Sequence, residues 1–242
     1  MLKRFTLNVI GSVGLSGPGQ MASAALAFSL ENGSLEHEIM SLFQKLFAHG
    51  LALGDDAQHR LYGARKRELF SGVEGTVVEI GPGTGVNLPY LPEDIRWVGL
   101  EPNPHMHRFL REQLADRGVE ADLRTATAQD TGLPAGHADI VISTLVLCSV
   151  PDLDATLAEL RHILRPGGRL LFIEHVAAPR DTWLHTLQRG VRPVWRVLAD
   201  GCRPDRDTGA ALERAGFSSV TYEPFDTGLP VVSPHIVGTA VA

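Results

Sequence analysis

Cysteine is scarce in this sequence of 242 residues, which has only Cys148 and Cys202. Two cysteines form at most one disulfide, and theirs is not the paired spacing of a metal-binding motif, so we expect no metal site and a reducing, cytoplasmic location. Basic residues are also few, with 22 Lys and Arg against 28 Asp and Glu and a net charge of -6. Binding to a phosphate backbone needs a dense basic surface, so nucleic acid is not expected as a partner.

Long apolar runs are absent as well. None reaches the roughly 18 residues that span a bilayer, so we expect no transmembrane segment. The N-terminal part has basic and small residues that partly resemble a signal peptide, but glycines and Pro18 interrupt its apolar stretch. We therefore expect residues 1–39 to be a leader or a poorly ordered extension. Apolar residues at 44% and charged residues at 21% are typical of a globular protein, and predict one domain over residues 40–242.

The N-terminal part of that domain has the pattern of helices. Apolar residues recur every three or four positions in Met40–Leu53, which predicts an amphipathic helix. A second helix is predicted over Asp55–Phe70, ended by Ser71 and Gly72. We expect residues 40–72 to pack as a helical lid. Peripheral attachment of the Met40 helix to a membrane is the less favoured alternative.

From Val77 onward, strands and helices alternate, which predicts an α/β fold with a Rossmann-like doubly wound sheet. The last two strands should pair antiparallel at the edge of this mostly parallel sheet, and Pro166–Gly168 should form a turn. The predicted strands are Val77–Ile80, Trp97–Glu101, Ala121–Ala126, Asp139–Leu147, Arg169–His175, Val220–Pro224 and Ile236–Val241. The predicted helices are His105–Arg117, Asp154–Leu164, Trp183–Leu198 and Gly209–Ala215.

A glycine-rich turn, with glycines at 81, 83 and 85, follows the first of these strands. Glycines let the backbone approach a ligand closely, and a helix after such a turn would offer free N–H groups. Dinucleotide binding requires a third glycine at position 86, where the chain has Val86. The acidic residue Glu101 ends the second strand, where a carboxylate can accept hydrogen bonds from ribose hydroxyls. A glycine turn can also serve packing alone, but together these features favour a nucleoside-containing ligand.

The GxGxG spacing resembles the cofactor loop of class I methyltransferases that use S-adenosylmethionine (SAM). The second half of the chain is similar in particular to the alkyl-thiol S-methyltransferases, also called the methyltransferase-like seven family. Bacterial relatives labelled phospholipid N-methyltransferases have similar segments. The segments that carry this resemblance are Lys66–Phe70, Glu101–Pro104, Thr144–Val150, Leu164–Gly168, Glu174–Ala178, Asp200–Cys202 and Pro234–Ile236.

The resemblance implies SAM as the cofactor and assigns residues to it. Glycines 81, 83 and 85 would cradle the methionyl part, Glu79 would orient its amino group, and Glu101 would hold the ribose. Two departures from the family pattern stand out: Ala128 replaces a usual acidic or amide residue, and Pro82 replaces a cysteine. Adenine would lie near positions 127–129. The full set of predicted cofactor-binding residues is Glu79, Gly81, Gly83, Gly85, Asn87, Glu101, Pro102, Thr127, Ala128, Gln129, Thr144 and Leu145.

The resemblance also favours a small, apolar methyl acceptor, with thiols first. Phosphatidylethanolamine N-methylation, small-molecule O- or N-methylation and a non-catalytic SAM-binding module are the alternatives. A thiol reacts as its thiolate, so a base would help. His175 ends the fifth strand and is the first candidate, although a structural histidine is an equal reading. Asp200 is the second candidate. Cys202 beside it and Cys148 are interpreted as buried thiols. The sequence leaves the oligomeric state open.

Overall fold

The computed structural model describes residues 18–115 and 117–242, with side chains described for residue 38 and from residue 41 onward, residue 116 again excepted. The chain divides into two compact units, residues 1–43 and 44–242. Helix α1, Pro18–Leu69, contains residues of both units. The predicted leader over residues 1–39 therefore lies partly outside the described residues.

Helix α1 replaces the two helices that the sequence predicted on either side of Gly54. That prediction is wrong because a single interior glycine costs a helix only about 1 kcal/mol. Lys66 and Arg67 lie in the last turn, where positive charge interacts favourably with the helix dipole. Within the second unit, Phe47 and Leu51 are half-buried.

A seven-stranded sheet forms the centre of the second unit. Its strands are β1 Thr76–Ile80, β2 Arg96–Leu100, β3 Glu120–Arg124, β4 Ala138–Thr144, β5 Leu164–His175, β6 Ser219–Asp226 and β7 Pro234–Val241. Their spatial order is β3-β2-β1-β4-β5-β7-β6. The first five strands are parallel, and β7 pairs antiparallel with both β5 and β6. This arrangement confirms the predicted Rossmann-like fold with an antiparallel hairpin at one edge.

In the described part of the chain, the strands are connected by four further α-helices: α2 His107–Ala115, α3 Leu153–Ile163, α4 Trp183–Leu198 and α5 Thr208–Arg214. Three of them begin at a side-chain cap. Asp152 Oδ1 accepts a hydrogen bond from Ala155 N at 3.0 Å before α3, and Thr182 and Asp207 do the same before α4 and α5. Such caps satisfy backbone N–H groups that have no partner inside the helix.

Strand β5 begins five residues earlier than the sequence predicted. Leu164 pairs with Ala138 and Arg169 pairs with Ile140, so residues 165–168 stand opposite Asp139 alone. The predicted turn at Pro166–Gly168 is therefore a bulge inside the strand and does not precede it. Strand β4, in contrast, ends three residues early, at Thr144.

Both faces of the sheet are buried by apolar side chains. One face carries Val78, Ile80, Val98, Leu100 and Val141, and the other carries Val77, Trp97, Ile140, Ile142 and Leu171. Parallel strands covered on both faces leave the carboxyl ends of the strands as the place for a ligand.

The part of α1 in the second unit lies across this carboxyl edge. The Gln44 carbonyl accepts a hydrogen bond from Asn103 Nδ2, just beyond β2, at 3.1 Å. Thr84 Oγ1, just beyond β1, donates to Asp55 Oδ1 at 2.7 Å. Tyr62 contacts His235 at the start of β7. Residues 44–69 therefore cover the edge at which the sequence placed the functional residues.

Candidate active site

The glycine turn after β1 has the backbone conformation that the sequence predicted. The φ angles of Gly81, Gly83 and Gly85 are +55°, +60° and +92°, a region that other residues rarely adopt. A side chain at position 81 would overlap Val146, whereas the space beside Gly83 is open. The bare backbone at Gly83 is therefore the surface that a ligand can approach.

The segment after the turn corrects one expectation. A single 3₁₀ turn, Leu88–Tyr90, follows it instead of an α-helix. Pro89 and Pro92 explain the difference, since the first can enter only an initial helical turn and the second cannot continue one. Ligand binding at this turn therefore depends on local N–H groups and side chains, without the dipole of a long helix.

Glu101 lies directly beside the glycine turn. Its Oε2 accepts a hydrogen bond from Gly83 N at 2.9 Å, and its Oε1 accepts one from Asn103 N at 2.8 Å. Burial raises the pKa of Glu101 to about 7; these two N–H donors lower it, and the charges of Asp200 and Glu79 raise it. A carboxylate has room for about four hydrogen bonds, so two positions remain for ribose hydroxyls. The ribose contact itself stays a prediction.

Glu79 is fully buried and engaged within the protein. Its oxygens accept hydrogen bonds from Asn87 Nδ2 at 2.8 Å and Trp97 Nε1 at 2.9 Å. Burial raises its pKa, while Trp97, Asn87 and Lys66 lower it. In this geometry Glu79 positions Asn87, and its predicted direct contact with an amino group stays a prediction.

Asn87 has an unused acceptor. Its Nδ2 also donates to Thr144 Oγ1 at 3.0 Å, but its buried Oδ1 has no hydrogen-bond partner within the described structure. A buried polar atom without a partner is costly, so such an atom commonly marks a ligand position. An ammonium group such as that of SAM can donate to this oxygen. The residues around the turn thus fit the cofactor.

The residues predicted near adenine differ in exposure. Thr127 is exposed, and its Oγ1 accepts a hydrogen bond from Asp130 N at 3.2 Å. Ala128 is buried among the apolar residues of one sheet face, and Gln129 is half-buried. Pro102 is exposed. The buried Ala128 side chain therefore packs in the core, and the adenine contacts stay a prediction.

A loop over residues 145–148 follows β4. Leu145 has a φ of +61°, which is rare for a non-glycine residue and ends the strand at Thr144. The fully buried Glu174 holds this loop, because its Oε1 accepts hydrogen bonds from Val146 N and Leu147 N, both at 3.1 Å. Ser143 Oγ donates to the same oxygen at 2.6 Å. Burial raises the pKa of Glu174, and these donors and His175 lower it.

His175 ends β5 and is buried beside Cys202. The distance from its Nε2 to the Cys202 Sγ is 2.8 Å, and Trp195 Nε1 donates to the same sulfur at 3.2 Å. The Cys148 thiol and burial raise the pKa of Cys202, while His175 lowers it. The structure therefore joins His175 to both cysteines. The interpretation of Cys148 and Cys202 as buried thiols agrees with their exposures of 2% and 6%.

Asp200 is placed differently from His175. It is exposed and has a φ of +45°, and its charge acts on Glu101 on the cofactor side. Arg206, which follows it, donates to the Leu147 and Val150 carbonyls at 2.7 Å each. The connection after α4 thus reaches both sides of the site. The catalytic roles of His175 and Asp200 stay predictions.

Tyr62 and His235, which are far apart in the sequence, meet at the carboxyl edge of the sheet. His235 Nδ1 is 2.9 Å from the Ser233 carbonyl, which makes Nδ1 the donor and leaves Nε2 to accept from the Tyr62 hydroxyl, at 2.9 Å. Burial lowers the pKa of His235 to about 4. The ring is therefore neutral near pH 7, and its centroid lies 6.1 Å from that of His175.

Sequence reasoning missed Lys66 as part of the site. It is fully buried, and its Nζ donates to the Val86 carbonyl of the glycine turn at 3.2 Å. Burial lowers its pKa to about 8, while Glu79 and Asp55 raise it. Its spacing was the available signal, because Tyr62, Lys66 and Phe70 recur every four residues and all are buried.

Comparison with known proteins agrees with this geometry. The family described as a methyltransferase domain matches residues 78–172. The human thiol S-methyltransferase TMT1B is 38% identical over 214 residues, covering 83% of this chain and 87% of the human protein. The chain belongs to the thiol S-methyltransferase family. Another member of this family, human TMT1A, is 37% identical over 191 residues, covering 74% of the chain and 78% of the human protein.

Solved structures agree on the fold. A SAM-dependent methyltransferase from Thermotoga maritima, described as a possible histamine N-methyltransferase, has a TM-score of 0.59 and 21% identity, covering 82% of this chain and 98% of that one. The chain thus has a class I methyltransferase fold. Its membership of the thiol S-methyltransferase family makes it a SAM-dependent methyltransferase. Among the described residues, no helix combines the length and apolar character needed to cross a membrane.

Proposed function

We propose that this enzyme transfers the methyl group of SAM to the sulfur of small, apolar thiols. The observation that carries the proposal is its similarity, over most of both chains, to two human thiol S-methyltransferases. The site is compatible with such an acceptor, because the carboxyl ends of β4 and β5 place buried, weakly polar groups beside the cofactor turn.

Methyl transfer requires mainly that the nucleophile and the methyl group of SAM are aligned and that water is excluded. SAM supplies a methyl group on a sulfonium sulfur, which a nucleophile displaces in line. The glycine turn, Asn87 and Glu101 would bind the cofactor. Residues 44–69 of α1 cover the edge and limit the access of water. His175, buried at 4% exposure, would accept or direct the proton of the acceptor thiol.

The experiment is a transfer assay with radiolabelled SAM and a matched panel of acceptors. Short alkyl thiols, the corresponding amines and alcohols, a phenol, and vesicles of phosphatidylethanolamine form the panel. Labelled thioether as the main product supports the proposal. Labelled lipid or amine with no thioether contradicts it in favour of N-methylation, and tight SAM binding with no product at all favours a non-catalytic binding module.

His175 is tested within the same assay. His175→Ala should slow single-turnover transfer by at least about tenfold and change SAM affinity little, because general base catalysis typically contributes 10²–10⁴-fold. The exposed residue His162 offers a control, since His162→Ala should leave both quantities unchanged. Equal rates in the wild type and His175→Ala would remove His175 from the reaction. Asp200→Asn tests the second candidate in the same way.

We also propose a cytoplasmic protein whose partner is a small molecule and not nucleic acid. Cys148 and Cys202 are free thiols in the structure, which is usual in a reducing compartment. The net charge of -6 opposes binding to phosphate backbones. Fractionation of cells that express the protein, with thiol labelling under denaturing conditions, tests the location: a membrane pellet or an oxidised pair contradicts it.

A further inference from the structure

Three groups that commonly bind metal ions meet at the acceptor side of the site. The Sγ atoms of Cys148 and Cys202 and a ring nitrogen of His175 all lie within 4.8 Å of one another. Cys148 follows β4, His175 ends β5, and Cys202 follows α4. These positions are far apart in the sequence, which is why the sequence predicted no metal site.

The donor set fits a zinc ion. Zn²⁺ in proteins is bound by cysteine thiolates and histidine nitrogens, mostly in tetrahedral geometry. Bond lengths of about 2.3 Å to sulfur and 2.0 Å to nitrogen separate neighbouring ligand atoms by about 3.5 to 3.8 Å. The three ligand atoms lie within 4.8 Å of one another, and the distance of 2.8 Å between His175 Nε2 and Cys202 Sγ is shorter than the zinc-bound separation. Side-chain shifts of about 1 Å would suffice for binding.

The Cys148 thiol and burial raise the pKa of Cys202, so a bound metal ion would itself displace the thiol protons. Trp195 Nε1 donates a hydrogen bond to the Cys202 sulfur. The guanidinium of Arg206 is near enough to interact electrostatically with both cysteines. Arg206 itself is held by the Leu147 and Val150 carbonyls. A positive charge thus lies within electrostatic range of both sulfur atoms.

We propose that Cys148, His175 and Cys202 bind one Zn²⁺, and that the acceptor thiol binds to it as a thiolate at the fourth position. Zinc sites with three protein ligands keep a position for water or substrate, whereas structural zinc sites use four protein ligands. The zinc site stands on this geometry alone, but its role toward the acceptor rests on the proposed thiol methylation. In this arrangement His175 is a metal ligand and does not act as the base. The proton of the acceptor thiol passes to solvent instead.

Both cysteine thiols release their protons to solvent when the metal binds, and the acceptor thiol does so when it replaces water at the metal. A bond forms between the acceptor sulfur and the methyl carbon while the methyl–sulfonium bond breaks. The electron pair of the broken bond stays on the cofactor sulfur, which gives S-adenosylhomocysteine. The methylated acceptor is a neutral thioether and a weak ligand, so it leaves.

The test uses Co²⁺ as a visible substitute for Zn²⁺ in the purified full chain. After chelation and reduction, titration with Co²⁺ should give one ion per chain and a thiolate-to-metal charge-transfer band in the near ultraviolet. Zn²⁺ should displace the cobalt. Addition of a short alkyl thiol should strengthen the band, because a third thiolate joins the metal, whereas the matching alcohol should not.

Variants assign the ligands. Cys148→Ser and Cys202→Ser should each weaken metal binding by about 100-fold or more and reduce the band, and His175→Ala should weaken binding while the band remains sulfur-based. His162→Ala is the control and should bind as the wild type does. Retained SAM binding shows that each variant is folded. The proposal is overturned if the wild type binds no Co²⁺ through sulfur, if both cysteine variants keep the full band, or if the two cysteines form a disulfide instead.

The outcomes separate this proposal from the proposed function. If the wild-type enzyme shows the cobalt band but methylates no thiol, the metal site is supported and the proposed thiol methylation is contradicted. Full thiol methylation after complete chelation, with no metal by elemental analysis, retains the function and overturns the catalytic zinc. A band that an alkyl thiol leaves unchanged overturns the acceptor position.

Discussion

The two halves of the carboxyl edge are built in different ways. The cofactor half is nearly continuous in sequence, since the glycine turn, Asn87 and Glu101 lie within residues 79–103 and bond mainly to one another and to the backbone. The acceptor half joins residues 145–148, the end of β5, the connection after α4 and the start of β7. The difference shows that a local pattern can specify a binding turn, whereas the acceptor half depends on the complete fold.

The groups that stabilise each half differ accordingly. Positive φ angles at three glycines shape the cofactor half. Two buried charged side chains, Glu174 and Arg206, shape the acceptor half through backbone N–H and carbonyl groups of residues 146–150. A change at either buried charge should therefore disturb the acceptor half first.

The largest expected effect is that of Glu174→Ala. It leaves several buried donors without a partner, at about 1 to 3 kcal/mol each, so the free energy of unfolding should fall by about 3 to 5 kcal/mol. Urea denaturation measures this, and Glu174→Gln should have a smaller effect. SAM affinity should change only a few-fold in the folded variant. A loss of SAM affinity as large as the loss of stability would break the comparison between the two halves. The exposed Glu112 offers a control, Glu112→Ala.

Glu101→Ala should weaken SAM binding strongly and change the stability of the fold little, the reverse of Glu174→Ala. The loss of two charge-assisted hydrogen bonds to the ribose should weaken SAM binding by about 100-fold, with little change in circular dichroism. Isothermal titration calorimetry measures the affinity, and Glu112→Ala on the exposed surface is the matched control. Unchanged SAM affinity in Glu101→Ala would contradict the ribose contact.

The pKa of Glu101 predicts a pH dependence of cofactor binding. Because this pKa is raised to about 7, the carboxyl becomes protonated as the pH falls through 7 and accepts fewer hydrogen bonds. SAM affinity should therefore be about tenfold weaker at pH 6 than at pH 8. The same titration of Glu101→Ala should be nearly flat; an equally steep curve there would assign the effect to another group.

The smallest expected effect is that of Tyr62→Phe. It removes one hydrogen bond to His235, so the free energy of unfolding should fall by about 1 kcal/mol. The decrease should be the same at pH 6 and pH 8, since the pKa of His235 is about 4 and that of Tyr62 is raised. Thermal denaturation of Tyr62→Phe at both pH values checks this, and Tyr222→Phe, which removes the hydrogen bond from Tyr222 to Glu213, provides the comparison for loss of a hydroxyl near the surface. A decrease that appears only at pH 8 would show that His235 titrates in this range.

The sequence predicted the sheet and the cofactor turn because their signals are local. Buried parallel strands form short β-branched runs, and the glycine spacing, with Val86 where a third glycine would stand, distinguished the turn from a dinucleotide site. The sequence-based predictions were wrong where tertiary contacts determine how an element begins, ends or continues. Gly54 did not break α1, two prolines prevented the helix after the glycine turn, and Asp139 faces a bulge that pairing alone defines.

The acceptor side shows the same limit more strongly. His175 was singled out from its place at the end of a strand, but its pairing with Cys202 depends on how α4 and the connection after it return to the sheet. Glu174 and Lys66 were missed because burial of a charge depends on partners that are distant in sequence. The recurrence of Tyr62, Lys66 and Phe70 every four residues was the one signal that Lys66 is buried.

Gly238 in β7 has a consequence for how this protein would fail. Any side chain there would overlap the Thr221 carbonyl and the backbone of Tyr222 in β6. A larger residue would therefore detach the outer strand and leave β7 with unpaired N–H and C=O groups, a template for pairing with other molecules. Variants at this position should therefore accumulate as insoluble protein during expression, so that their methyl-transfer activity could not be measured.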